Sequence, residues 1–119
     1  MATTIKMAEG TTYRAEFTLY DETSSPIDLT GATLQFSAYL PSAAKVGVPT
    51  VFLTKTVGNG LSVTNAVGGV VLVTFNPTDT TDKAGVYEWE LELNEINGDV
   101  WLAGSGVLLV QPGRRLDTT

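Results

Sequence analysis

The fold class follows from one stretch of seven residues, Tyr87-Glu88-Trp89-Glu90-Leu91-Glu92-Leu93. Aromatic and aliphatic side chains alternate in it with carboxylates, and a period of two predicts a β-strand with one buried and one solvated face. The same alternation recurs in residues 13–19, 32–40 and 71–75. No stretch holds apolar residues at helical spacing over three turns. The sequence therefore predicts an all-β protein without a substantial helix.

Clusters of turn-forming residues separate these strands, for example Gly58-Asn59-Gly60, which is typical of a hairpin. The pair Asn97-Gly98 predicts a two-residue hairpin turn in which both residues have positive φ. The spacing of the turns predicts about seven short strands in an antiparallel β-sandwich. Because the 119 residues contain no internal repeat, linker or low-complexity tract, residues 1–119 are predicted to form a single domain.

A local marker narrows the fold to an immunoglobulin-like sandwich. Gly85 is followed two positions later by Tyr87, at the start of a strong strand. In immunoglobulin-like folds a tyrosine at this place bonds the backbone a few residues upstream and fixes a corner between two strands. The alternative is that Tyr87 is an ordinary core aromatic. Trp89 is then expected to face inward, where its large apolar surface replaces a disulfide as the anchor of the core.

The composition argues against several classes of function. The chain has no histidine and no cysteine, which removes the commonest general bases, nucleophiles and transition-metal ligands, so we expect a protein that is not an enzyme and needs no cofactor or metal. Its net charge of −6 is unsuited to nucleic acid. No apolar run approaches the ~18 residues of a membrane span, and residues 1–10 do not resemble a secretory leader, so we expect no membrane partner.

Five carboxylates are candidate site residues. Glu88, Glu90 and Glu92 share one strand face, which is either a solvated surface or an acidic surface that meets a basic partner. Asp79 and Asp82 are interpreted as caps of a short turn rather than as calcium ligands, because a calcium site needs six or more oxygens in tight order.

Other candidate contact surfaces lie in a loop and at the termini. The loop 41–50 is weakly charged and carries Val46 and Val48, and it either contacts a partner or folds back over the core. Arg114 and Arg115 form the one adjacent basic pair, either a solvated chain end or a contact. We expect residues 1–6 and 112–119 to contact other chains, because they are polar and stand outside the strand pattern.

The stretch Pro26-Ile27-Asp28-Leu29-Thr30-Gly31-Ala32-Thr33-Leu34-Gln35-Phe36, together with Ala84-Gly85-Val86-Tyr87, resembles small immunoglobulin-like domains of tailed-bacteriophage virions. The likeness is closest to the N-terminal domain of phage baseplate upper proteins. Physically, Asp28 and Thr30 cap a tight turn that ends at Gly31.

This resemblance implies a non-catalytic virion protein that docks to other virion proteins, as a tail or baseplate adaptor or as capsid-surface decoration. It also implies a homo-oligomer or part of a larger assembly, located in the virion after folding in the host cytoplasm. The alternative function is a carbohydrate-binding module that stacks sugars on exposed aromatic rings. Tyr20 and Tyr39 are predicted to face outward, and the orientation of Trp101 is left open.

Overall fold

The computed structural model describes residues 2–40 and 50–112, which form eight strands and one single-turn helix. In chain order these elements are β1 (Ala2–Ala8), β2 (Tyr13–Thr18), β3 (Thr33–Leu40), β4 (Thr50–Val57), β5 (Gly60–Asn65), β6 (Val70–Phe75), α1 (Pro77–Thr80), β7 (Gly85–Asn94) and β8 (Val100–Gln111). The alternating burial along β7, where every second side chain is buried, is the pattern that the sequence predicts.

The strands follow one another in the order β1-β8-β7-β3-β4-β5-β6-β2 and fold into two layers. The layers meet at β4 and β5, which pair in parallel orientation over only two residue pairs: Thr56 lies opposite Gly60, and Val57 lies opposite Leu61. The chain crosses between the layers here, with Gly58 and Gly60 at φ of 87° and 94°. The hairpin predicted for residues 58–60 is therefore wrong, because the two positive-φ glycines redirect the chain to the other layer instead of returning it along β4.

Aromatic side chains join the two layers. The ring of Phe36 on β3 meets that of Phe75 on β6 edge to face, with centroids 5.6 Å apart. Trp89 on β7 lies 5.2 Å from Phe17 on β2 and 5.5 Å from Phe36. The predicted all-β sandwich is confirmed, and its buried apolar residues are Ile5, Met7, Leu19, Leu29, Leu34, Phe36, Ala38, Leu61, Val71, Val73, Phe75, Tyr87, Trp89, Leu91, Leu93, Leu108 and Val110.

Strand β1 corrects the expectation for the first residues. Residues 2–8 pair in parallel with β8, from Ala2 opposite Ser105 to Ala8 opposite Gln111. Ile5 and Met7 are buried, so the premise that this segment stands outside the strand pattern is wrong. That residues 1–6 contact other chains stays a prediction. Two apolar positions are too few to predict a strand locally, and β1 depends on its partner β8, which lies about a hundred residues away in sequence.

The end of β8 is covered on one face only. Residues 107–110 are apolar throughout and suggest a strand that is covered on both faces. Leu108 and Val110 are fully buried between the layers, whereas Val107 on the outer face is 39% exposed. In a sandwich of two layers each strand has one inner face, and the structure places no third layer of described residues over the outer one.

Candidate docking surface

The turn between β7 and β8 directs this hairpin into solvent at one end of the sandwich. The amide of Gly98 donates to the carbonyl of Glu95 at 2.9 Å, and the amide of Glu95 donates to the carbonyl of Asp99 at 2.8 Å. Gly98 has a φ of 97°, whereas the φ of Asn97 is negative. The predicted two-residue turn is therefore wrong: a tight turn is followed by one left-handed glycine, a longer hairpin connection. The side chain of Asn97 instead accepts a bond from the amide of Asp99 at 2.9 Å.

Four large apolar side chains stand exposed at the turn end of this hairpin. Ile96 is 81% exposed, Val100 57%, Trp101 54% and Leu102 62%. We call these four residues the hairpin tip. Single exposed apolar residues are ordinary, but several together on one projecting element are typical of a contact surface. The orientation of Trp101 is thus resolved: it pairs with the buried Leu93 and still exposes about half of its surface.

The predicted turn motif packs beside the hairpin tip. The carboxylate of Asp28 accepts bonds from the amide of Thr30 at 2.9 Å and from its hydroxyl at 2.6 Å. These bonds, led by the hydroxyl of Thr30, hold the pKa of Asp28 below its ordinary value. Gly31 follows with φ of 76°, and a Cβ there would stand 2.8 Å from Cδ1 of Ile96. The loop between β2 and β3 is thereby fitted against the tip.

A second aspartate organises the same loop. Oδ1 of Asp21 accepts bonds from the amide and hydroxyl of Thr23, at 2.8 and 2.6 Å, and from the amide of Ser25 at 3.0 Å. These bonds, the Thr23 hydroxyl first, lower the pKa of Asp21. Tyr20 pairs with Pro26 across the loop and is 58% exposed. Local side-chain bonds thus give the loop a defined shape without an apolar core of its own.

The three predicted corner residues lie at the opposite end of β7. The hydroxyl of Tyr87 donates to the carbonyl of Lys83 at 2.6 Å, and burial raises the pKa of this phenol. A Cβ on Gly85 would stand 3.5 Å from that hydroxyl, in ordinary contact. Trp89 is buried, and its ring lies over Gly104, where a Cβ would come within 3.3 Å of the indole. These residues shape the fold and are not part of the surface near the hairpin tip.

Glu88, Glu90 and Glu92 are exposed on the outer face of the larger layer. Their cross-strand neighbours on β3 are Tyr39, Ser37 and Gln35, and on β8 they are Val107, Ser105 and Leu102. No lysine or arginine stands directly opposite any of the three on these described strands. The stripe is exposed to solvent, and at Glu92 it adjoins Leu102 of the hairpin tip. Contact of this acidic surface with a basic partner stays a prediction.

The remaining predicted contact residues lie outside the described part of the chain. These are Val46 and Val48 of the predicted loop 41–50, of which only Thr50 is described, at the start of β4, and Arg114 and Arg115 in residues 113–119. Among the exposed aromatics considered for sugar binding, Tyr39 is half-buried, while Tyr20 and Trp101 are more than half exposed.

Sequence reasoning missed a buried ion pair. Nζ of Lys55 lies 2.6 Å from Oδ2 of Asp79, and both side chains are mostly buried. Oδ2 of Asp79 also accepts a bond from the amide of Asn76 at 2.7 Å, which caps the first turn of α1. Lys55 lies two residues after Leu53 on β4, so both side chains point inward. A lysine at an inward position of a strand is the signal that could have revealed the pair.

Residues 2–40 and 50–112 contain no cluster of three or more metal-binding side chains. In that part of the chain no helix has the length and apolar character needed to cross a bilayer.

The comparisons with known proteins identify a fold but no family. Neither a scan against protein-family models nor a search of curated proteins finds a match. Among solved structures, the chain is similar to a chain in the crystal structure of a chicken TCR, with 17% sequence identity and a TM-score of 0.58. The match covers 96% of this chain and 55% of the other, so the chain spans about half the length of that neighbour.

The strand order agrees with this likeness. The layers β2-β6-β5 and β8-β7-β3-β4 correspond to the B-E-D and G-F-C-C′ strands of an immunoglobulin variable-type domain. The hairpin of β7 and β8 then occupies the place of the F–G hairpin. Together, the topology and the structural neighbour show that the domain has the immunoglobulin-like sandwich fold that the sequence predicts.

Proposed function

We propose that this protein is a non-catalytic structural protein of a tailed-phage virion that docks to other virion subunits through the hairpin tip. The observation that carries the proposal is the exposure of Ile96, Val100, Trp101 and Leu102 on one hairpin. A monomer that kept this surface in water would lose the free energy of burying it, about 25 cal/mol for each Å² of apolar area. A protein partner that covers the tip recovers that free energy.

The position of the tip supports the proposal. In immunoglobulin variable domains, the loops at the end that carries the F–G hairpin form the binding surface, supported by a rigid sandwich. Here the neighbouring loop is braced by Asp21 and Asp28, and Gly31 allows it to lie against Ile96. A braced loop loses little conformational entropy on docking, which favours stable association.

The virion assignment rests on the motif around Asp28, Thr30 and Gly31 and on the Gly85–Tyr87 corner, which resemble those of phage baseplate domains. Either a tail or baseplate adaptor or a capsid-surface decoration would use such a docking domain. The test is to quantify the chain by mass spectrometry in gradient-purified particles of the phage that encodes it. We expect a fixed copy number in particle fractions. Recovery of the chain only among free proteins would overturn the proposal.

A carbohydrate-binding module is the second candidate, and the exposure of Tyr20 and Trp101 is the observation that favours it. Sugar-binding sandwiches stack pyranose rings on such aromatics. A glycan array with the wild type and with Tyr20→Ala and Trp101→Ala separates the two functions. The docking proposal expects no retention above background, whereas retention lost in an aromatic variant supports the sugar-binding alternative.

A further inference from the structure

Strand β2 forms one edge of the sheet. Within residues 2–40 and 50–112 it pairs only with β6, from Tyr13 opposite Phe75 to Thr18 opposite Val70. In immunoglobulin sandwiches strand A lies beside the corresponding strand B. Here the first strand pairs with β8 instead, so the described chain leaves this position beside β2 open. An unpaired edge of this kind is a template for an added strand.

The backbone groups that face the open side can be assigned. The amide of Leu19 donates to the carbonyl of Gly69, just before β6, at 2.8 Å. Successive residues of a strand direct their amides and carbonyls to opposite sides. Counting back from the Leu19 amide, the backbone groups of Phe17 and Ala15 therefore point toward β6. Arg14, Glu16 and Thr18 therefore point theirs toward the open edge.

A groove of about 820 Å³ runs along this edge between the two layers. Its walls are β2 and the segment of β8 at Ala103 and Gly104, with Ile5 of β1 at one side. Phe17 faces the groove and is only half-buried, and Ala103 and Gly104 are too small to fill the space. The groove thus has room for apolar atoms above Ala15 and Phe17.

We propose that residues 113–119 of a second copy, Gly113-Arg114-Arg115-Leu116-Asp117-Thr118-Thr119, add to β2 as an antiparallel strand. With Leu116 opposite Ala15, Arg115 lies opposite Glu16 and Asp117 lies opposite Arg14. Opposite charges in such cross-strand positions attract each other. Leu116 then points into the groove, and the guanidinium of Arg114 lies over the ring of Phe17, where a cation and an aromatic face attract.

The charges select this register. A shift by two residues in one direction places Arg115 opposite Arg14, and a shift in the other places Asp117 opposite Glu16, so each alternative brings like charges together. A parallel strand with Arg115 opposite Glu16 puts Asp117 opposite Thr18 and keeps only one of the two charge pairs. Because side chains alternate between the faces, a shift by one residue moves Leu116 out of the groove.

The topology requires the segment to come from another copy. The carbonyl of Gln111 accepts a bond from the amide of Glu9, so β8 ends near the start of β2. The proposed strand begins opposite Thr18, five residues along β2 and ~17 Å away at the rise of a strand. Gly113 stands two residues after Gln111 and reaches at most ~7 Å. Each copy therefore inserts its tail into the next, and a head-to-tail contact builds a ring or a filament.

This inference deepens the proposed structural role by naming a partner, a second copy of this chain. Its test uses sedimentation velocity of the purified full chain and is independent of particles. We expect the wild type to form species larger than one chain. Glu16→Arg, which blocks the acceptor edge, and a chain ending at Pro112, which lacks the donor strand, are each expected to be monomeric. Mixed together, these two are expected to form a 1:1 complex that grows no further, because one retains the donor and the other the acceptor.

Two further variants separate the register from general charge effects. Arg115→Glu alone should abolish association, and Glu16→Arg combined with Arg115→Glu should restore it, since the charge pair is re-formed in reverse. Glu88→Arg, the same reversal on the outer face of β7, should leave association unchanged. A wild type that is monomeric, a Glu16→Arg variant that still associates, or failure of the mixture to form the 1:1 complex overturns the inference. Recovery of the chain in virions is measured separately, so a monomeric wild type leaves the proposed function standing.

Discussion

The ammonium group of Lys55 on β4 lies 2.6 Å from a carboxylate oxygen of Asp79 in α1, and the side chains are only 7% and 17% exposed. The lysine occupies an inward position of β4, opposite Phe36 of β3, where an apolar residue would be usual. Asp79 therefore serves as both the counter-ion of a buried lysine and the cap of α1. The same contact joins the edge of one layer to the connection that follows β6.

Loss of Asp79 should be strongly destabilising. Asp79→Asn leaves the charge of Lys55 buried without a counter-ion, and breaking a buried pair in this way costs about 3–5 kcal/mol. Lys55→Met combined with Asp79→Asn should recover much of that loss, because no charge then remains to be desolvated. Urea unfolding of both variants measures the difference. A loss below about 1 kcal/mol in Asp79→Asn would mean that the pair is hydrated in solution.

Trp89 should be the most sensitive position of the core. Its indole packs between Phe17 of one layer and Phe36 of the other, so Trp89→Ala opens a cavity at their junction and should cost about 3–5 kcal/mol of unfolding free energy. Glu90→Ala, one residue along on the solvated face, is the matched control and should stay within about 0.5 kcal/mol. An unchanged melting midpoint of Trp89→Ala would contradict the inward orientation of Trp89 on β7.

Asp28 should make folding stability depend on acid pH. The Thr30 bonds lower its pKa below 3.8 in the folded chain, so the ionised form contributes stability above that value and loses it as the pH falls through the folded pKa. In Asp28→Asn this contribution is absent at every pH. Between about pH 5 and pH 3, the melting midpoint should therefore fall less steeply in Asp28→Asn than in the wild type. Equal slopes in the two proteins would contradict the role of these bonds.

The sequence was sufficient for the parts of the fold that depend on local pattern. Strong alternation, as in residues 87–93, fixes which face of a strand is buried, and a glycine followed two residues later by tyrosine marked the corner, where the Tyr87 hydroxyl meets the Lys83 carbonyl. Strand β1 escaped prediction because its partner, β8, is remote in sequence. The connection at Gly58 and Gly60 was misjudged because turn residues show where a chain turns but not into which layer it goes.

The candidate surface was harder to predict than the core. The exposure of Ile96 and Leu102 depends on where the turn falls after Leu93, and Asn97-Gly98 predicted a shorter turn than the one that Gly98 closes. Nothing in the local sequence distinguishes these apolar residues from those of a buried strand. The groove beside β2 is similarly invisible, since it results from β1 pairing with β8 rather than with β2.

The hairpin tip provides the most direct measurement of the central claim, which is that this domain functions by docking. Ile96→Ser together with Leu102→Ser removes two exposed apolar side chains, and Val86→Ser, at a 55% exposed site on the opposite end of β7, is the matched control. Incorporation into purified particles is measured for each by quantitative mass spectrometry, with thermal unfolding in parallel. The account predicts that the tip variant melts like the wild type but is lost from particles, while Val86→Ser is retained. Full incorporation of the tip variant would contradict it.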